Sequence, residues 1–239
     1  MQAVYDSSMA RRAYSESLNV NGGSIAFPSS FGANGSSVAY PNTAGYFNIN
    51  SDAFTIEWFQ YFKSGGFTSA PRVFSIGSYG PGNIAISFAH EGTDGSRSLI
   101  LTINNTQTNL GASVNENVWR HFAIVGNGTT MQVYRGGQKV GSPIAYTAIT
   151  STLALTIGNE TVQNFTAGYY GYIAQFRWVK GTAVYTGVSF TPPTAPLTAI
   201  SGTLILLSSF DNLTVTKDYG PNALTSTPIG ISWASDAPF

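Results

Sequence analysis

From Ser24 onward, apolar residues come in short runs, and Gly, Asn, Ser and Pro interrupt each run before a helical period can build up. Within the runs the period is two. Phe54, Ile56 and Trp58 share one face of a strand while Thr55 and Glu57 take the other, and Ile84, Ile86 and Phe88 likewise fall together. Beyond Trp58 both faces turn apolar, which predicts a central strand covered on both sides. The same reading predicts strands at Ser24–Phe27, Ser37–Tyr40, Phe54–Phe62, Arg72–Ile76, Ile84–Ala89, Leu99–Ile103, Trp119–Val125, Met131–Arg135, Lys139–Gly141, Leu153–Ile157, Tyr170–Val179, Thr203–Leu207 and Gly230–Ala234. Gly136-Gly137 supplies the positive φ angles of a tight turn, so Tyr134–Lys139 reads as a hairpin. Short strands without crossover helices predict an all-β, two-sheet antiparallel sandwich, a single domain over residues 19–239.

Residues 1–18 differ. Tyr5, Met9, Ala13 and Tyr14 recur at helical spacing beside Arg11 and Arg12, so the segment reads either as a short amphipathic helix or as a frayed arm outside the sandwich. As a helix it would dock on a partner through Tyr5, Met9 and Tyr14, with Arg11 and Arg12 pairing to carboxylates there.

Composition narrows the function. Only 9% of residues are charged, so solubility rests on Ser, Thr, Asn and Gly, as on secreted or particle-bound β proteins. Eleven basic and eleven acidic residues cancel, and Arg11-Arg12 is the largest basic cluster, which argues against nucleic acid as a partner. The longest apolar run, Leu204 to Leu207, is far short of a membrane span, and the N-terminus lacks the apolar core of an export signal, so no membrane insertion is expected. With no cysteine, disulfides, thiolate metal sites and thiol nucleophiles are absent.

Catalytic chemistry finds little support. Glycoside hydrolysis needs two carboxylates, yet Thr55 and Phe59 flank Glu57 at the alternate positions, so Glu57 reads as a sheet-face residue paired with a basic partner. His121 reads as a partly buried strand residue and His90 as the start of the loop at residues 90–97. Glu91 and Asp94 lack the spacing of a recognised calcium loop, so neither a metal site nor a cofactor is expected. Sugar binding needs aromatic faces beside planar polar groups. The loops at 78–83 and 159–170 offer both, giving Tyr79, Asn83, Asn164, Tyr169 and Tyr170 as candidate glycan contacts, with Asp94 of the 90–97 loop beside them and one of Tyr169 and Tyr170 expected in the core.

Four stretches carry a resemblance. Residues 54–59, then 119–125 with 131–137, then 171–177 (Gly-Tyr-Ile-Ala-Gln-Phe-Arg) are similar to strands of the laminin-G-like jelly-roll family of the concanavalin-A-like superfamily. Ala174 and Gln175 stand where that family usually has an acidic pair, so no calcium ligand is carried over. Residues 180–198, with Ala237-Pro238-Phe239, resemble the tail of lectin-like domains in structural proteins of marine phages and other aquatic viruses. The resemblance implies a non-enzymatic virion component, an appendage, fibre or decoration subunit, on the particle's outer surface or otherwise extracellular. Its partners would be other virion proteins or sister subunits through the N-terminal arm, and cell-surface glycan. The alternatives are a soluble lectin with no structural role and a glycan-cleaving enzyme.

Overall fold

The computed structural model describes residues 22–28, 35–65, 70–78, 83–93, 95–113, 116–161, 167–209 and 211–239. The partner-docking set Tyr5, Met9, Arg11, Arg12 and Tyr14 lies outside them, as do Tyr79, Asp94 and Asn164.

Fifteen strands form among the described residues: β1 (Ser24–Phe27), β2 (Ser37–Tyr40), β3 (Ala53–Phe62), β4 (Arg72–Ile76), β5 (Ile86–Glu91), β6 (Ser98–Ile103), β7 (Thr106–Ser113), β8 (Trp119–Asn127), β9 (Thr130–Arg135), β10 (Gln138–Ala145), β11 (Leu155–Ile157), β12 (Gly171–Lys180), β13 (Thr203–Leu207), β14 (Thr227–Ile229) and β15 (Ser232–Ala234). They build two antiparallel sheets. The first runs β10-β9-β8-β3-β12-β1-β15, with β13 also pairing β12; the second runs β14-β2-β11-β4-β5-β6-β7. The all-β sandwich expected from the residue pattern is therefore the observed architecture.

The core lies between the sheets and follows the period of two. Phe54, Ile56, Trp58 and Phe62 from β3 point inward with no exposed surface. Trp58 sits at the centre, stacked on Phe122 at 5.6 Å and meeting Phe74 and Phe88 edge-on at 5.5 and 5.0 Å. As expected from its doubly apolar sequence, β3 is central, between β8 and β12.

His90 departs from the sequence reading. Instead of opening a loop it continues β5, and the alternation that buries Ile86 and Phe88 buries it too. A chain of bonds fixes its tautomer. Trp58 Nε1 donates to Gln60 Oε1 at 2.9 Å, which turns the Gln60 amide nitrogen toward His90 Nε2 at 3.0 Å. Nε2 must then accept, and the ring carries its proton on Nδ1. Burial, with Arg97 nearby, lowers the His90 pKa to about 3. A depressed folded-state pKa contributes stability above the unfolded value and loses it as pH falls toward the folded one. The unfolding free energy from urea titration should accordingly drop between about pH 6.5 and about pH 5, above the carboxylate range, by roughly a kcal/mol per pH unit. His90→Gln should flatten that slope, and an unchanged slope would show that His90 does not carry it.

Candidate functional site

The outer face of the first sheet is divided into a roofed half and an open half. On β3 the odd positions Thr55, Glu57, Phe59 and Tyr61 point outward, in register with Val125, Ala123, His121 and Trp119 of β8. Residues 181–200, the segment after β12, lie over the Thr55 and Glu57 end. Thr55 Oγ1 donates to Thr182 O at 3.0 Å and accepts from Val184 N at 2.9 Å, while Tyr134 Oη donates to Gly187 O at 2.8 Å. Tyr185 and Phe190 stack at 3.7 Å and pack on Ala123, Val125 and Tyr134, a second small core outside the sandwich. Gly137 serves both the hairpin and the roof: it has φ +77, its carbonyl accepts from Phe190 N at 2.9 Å, and a Cβ there would lie 1.8 Å from Phe190 O.

Glu57 anchors this roof. Arg177 Nε donates to Oε1 at 2.9 Å and Arg177 Nη2 bonds the same oxygen; His121 Nε2 and Tyr185 Oη bond Oε2 at 3.1 and 2.7 Å. Burial alone would raise the Glu57 pKa. The bonds from His121, Arg177 and Tyr185 outweigh it and hold the carboxyl below its ordinary value. With Glu57 ionised, His121 Nε2 carries the proton of that bond. The expected basic partner of Glu57 is thus Arg177, so the family-like stretches at 54–59 and 171–177 are joined by a buried ion pair. Arg177 also donates to Thr198 O at 2.6 Å. Gln175, one of the two residues replacing the acidic pair, sits in a bulge of β12 with φ 54. Its amide accepts from Leu197 N at 2.9 Å and donates to Ser208 O at 3.2 Å, tying down the far end of the roof.

Beyond the roof no described segment lies over the face. Phe239, at the chain's end, packs edge-on against Phe59 at 5.1 Å and marks the border. Below it Trp119, Tyr61 and Tyr172 occupy directly paired positions on β8, β3 and β12. All three rings are partly exposed. Tyr61 lies 5.9 Å from Trp119 and 5.6 Å from Tyr172, and the rings of Trp119 and Tyr172 are 6.3 Å apart with an interplanar angle of 25°. Lys63 Nζ donates to Tyr172 Oη at 2.7 Å and sits 4.1 Å from the Tyr172 ring centre and 5.5 Å from that of Tyr170. The rim beside it is polar and exposed, with Asn117 Nδ2 donating to Ser64 Oγ at 2.8 Å. Rings, an ammonium and planar amides converge here, which is the equipment for holding a sugar's apolar face and its hydroxyls.

The sequence-derived contacts separate. Tyr170 borders this aromatic tray, whereas Tyr169 is the core member of the pair, fully buried and packed edge-on against Phe27 at 5.7 Å. Asn83 does not join them. It precedes β5, whose other end carries His90 against Gln60 and Phe62, so Asn83 lies at the far end of the sandwich, bonded to Asn105 Nδ2 at 3.0 Å. Tyr61, Trp119 and Tyr172 do not stand out in the sequence because each lies in a strand segment read for its core face, and Lys63 directly follows one. Extending the β3 alternation past Trp58 assigns Tyr61 to the outer face, but only the cross-strand register brings Trp119 and Tyr172 beside it.

The fold places the molecule among lectin-like sandwiches. Residues 32–184 match the laminin-G-like family of the concanavalin A-like lectin/glucanases superfamily, and the chain belongs to it. No curated protein matches the chain in sequence. Among solved structures, a provisionally named carbohydrate binding protein from Bacteroides ovatus is similar with TM-score 0.61 and 14% identity, over 93% of this chain and 62% of that one. A heptameric SAP-like pentraxin from Limulus polyphemus is similar with TM-score 0.50 and 14% identity, over 67% of this chain and 77% of that one. Both likenesses are of fold.

Proposed function

We propose that this protein is a non-enzymatic glycan-binding sandwich displayed on a virus particle as an appendage, fibre or decoration subunit, and that Tyr61, Trp119 and Tyr172, with Lys63 and Tyr170, form its sugar-binding surface. The observation that carries the glycan part is the open aromatic tray: three rings in register on adjacent strands, left partly exposed where the roof ends. The ammonium of Lys63 above two tyrosine rings favours saccharides bearing a carboxylate or sulfate. The carbohydrate-binding description of the Bacteroides relative agrees with this reading.

The non-catalytic part is supported by Glu57, whose two oxygens are both engaged by protein donors beneath Tyr185. Placement on a particle rests on the resemblance of residues 180–198 and 237–239 to virion lectin-like domains, with residues 1–18 as the docking arm. A glycan array probed with the full chain should return acidic oligosaccharides. Binding to none would remove the glycan part, and hydrolysis of any hit would remove the non-catalytic part. Mass spectrometry of purified particles tests the placement, which fails if the chain is missing from them.

A further inference from the structure

At the end of the sandwich where β8 begins, the inner face of the first sheet carries charge instead of core. Arg120 alternates with Phe122 and Ile124, whose side chains are buried between the sheets, and it stands directly opposite Gln60 of β3. Phe122 in turn pairs with Arg135 of β9, so the two arginines are diagonal neighbours on one face. Such diagonal positions are about 7–8 Å apart, within reach of long side chains. The two charges act on each other: burial first, and then the Arg120 charge, lower the Arg135 pKa from its ordinary value. Val118, two residues before Arg120, is 37% exposed, so solvent reaches this end.

Arg120 is partly exposed, yet it makes no side-chain hydrogen bond and no ion pair among the described residues. Of its three nitrogens only Nε is sealed from solvent, so Nη1 and Nη2 are the ones a ligand can reach. The carboxylate nearest in sequence, Glu116, is already engaged. Its Oε1 accepts from Gly95 N at 3.1 Å and lies 3.8 Å from Arg97 Nε. A half-buried guanidinium without an acceptor, beside a second one, is costly, because neither its hydrogen bonds nor its charge is compensated. An anion between the two compensates both, and the planar fork of each guanidinium matches the paired oxygens of a carboxylate.

We infer that Arg120 and Arg135 form an anion site that takes one carboxylate group, held by the outer nitrogens of Arg120 and by the Arg135 guanidinium. Trp119 and Arg120 are consecutive in β8, so their side chains leave the sheet on opposite faces, and the site is separate from the tray. It therefore does not rest on the glycan reading of that surface.

The test is an NMR titration of the full chain that reads the arginine Nε–H signals. Sodium acetate probes the free carboxylate, and sodium D-glucuronate probes the same group carried on a sugar. Sodium chloride holds the ionic strength constant, so that general screening is the same throughout. The Arg120 and Arg135 signals should shift and saturate with a Kd of about 10 mM or below for at least one probe. Glucuronate binding about tenfold or more tighter than acetate would assign the site to a sugar acid, and acetate binding as tightly or more so would assign it to a free small acid. Arg120→Gln and Arg135→Gln should each weaken binding about tenfold or more, with thermal unfolding showing that each protein is still folded. Lys63→Gln should bind as the parent does, because its ammonium lies on the tray. The inference is overturned if neither probe moves these signals at about 100 mM, or if both arginine variants, still folded, bind as tightly as the parent.

Discussion

Trp58→Ala should lower the unfolding free energy by about 3–5 kcal/mol, the cost of emptying a large aromatic core site. The indole is fully buried, touches Phe74, Phe88, Phe122 and Phe176, and so joins aromatic side chains of both sheets. Its loss also frees Gln60 Oε1, which holds the amide toward His90. Urea or thermal unfolding reads the effect directly. A midpoint matching the parent would mean that the core is not organised around this residue.

A comparable loss is expected when one side of the roof's ion pair is removed. Glu57→Ala leaves Arg177 buried without its carboxylate and should cost about 3–5 kcal/mol. The further change Arg177→Met should recover much of that loss, because the penalty comes from the stranded charge rather than from the absence of an attraction. In the parent protein the depressed Glu57 pKa contributes stability that is complete above the ordinary carboxylate range and declines as pH falls through its folded value. The urea midpoint of the parent should therefore carry an acid-dependent loss below about pH 4.5 that the double variant lacks. Additive losses for the two substitutions would show that Glu57 and Arg177 do not act as a pair.

These residues also show what the sequence made legible. Period-two alternation assigned Phe54, Ile56 and Trp58 to the core, and the expected bounds of β1, β2, β4 and β13 are those observed, because each is a short apolar run with clear punctuation. β7 and β14 were missed. Thr106–Ser113 is polar and Thr227–Ile229 contains a proline, so neither has the signal of a buried strand; their backbone pairing on β6 and β2 makes them strands. His90 was read as a loop residue because Glu91 and Gly92 follow it, but its position two residues after Phe88 places it in the core. The lack of a second carboxylate beside Glu57 correctly pointed to a basic partner, but which one depends on a register 120 residues away in sequence. The tray was illegible for the same reason: Tyr61, Trp119 and Tyr172 lie far apart in the chain, and only β8, β3 and β12 lying side by side make them one surface.

The measurement closest to the central claim is calorimetric titration of an acidic oligosaccharide chosen by array into the parent protein and into Trp119→Ala and Tyr172→Ala. Thermal unfolding of each should accompany it. Stacking on these rings predicts a loss of affinity of about tenfold or more for each variant, with unfolding little changed because both side chains are partly exposed. Parent-like affinity in both variants, with the fold intact, would contradict the assignment of the tray as the glycan-binding surface.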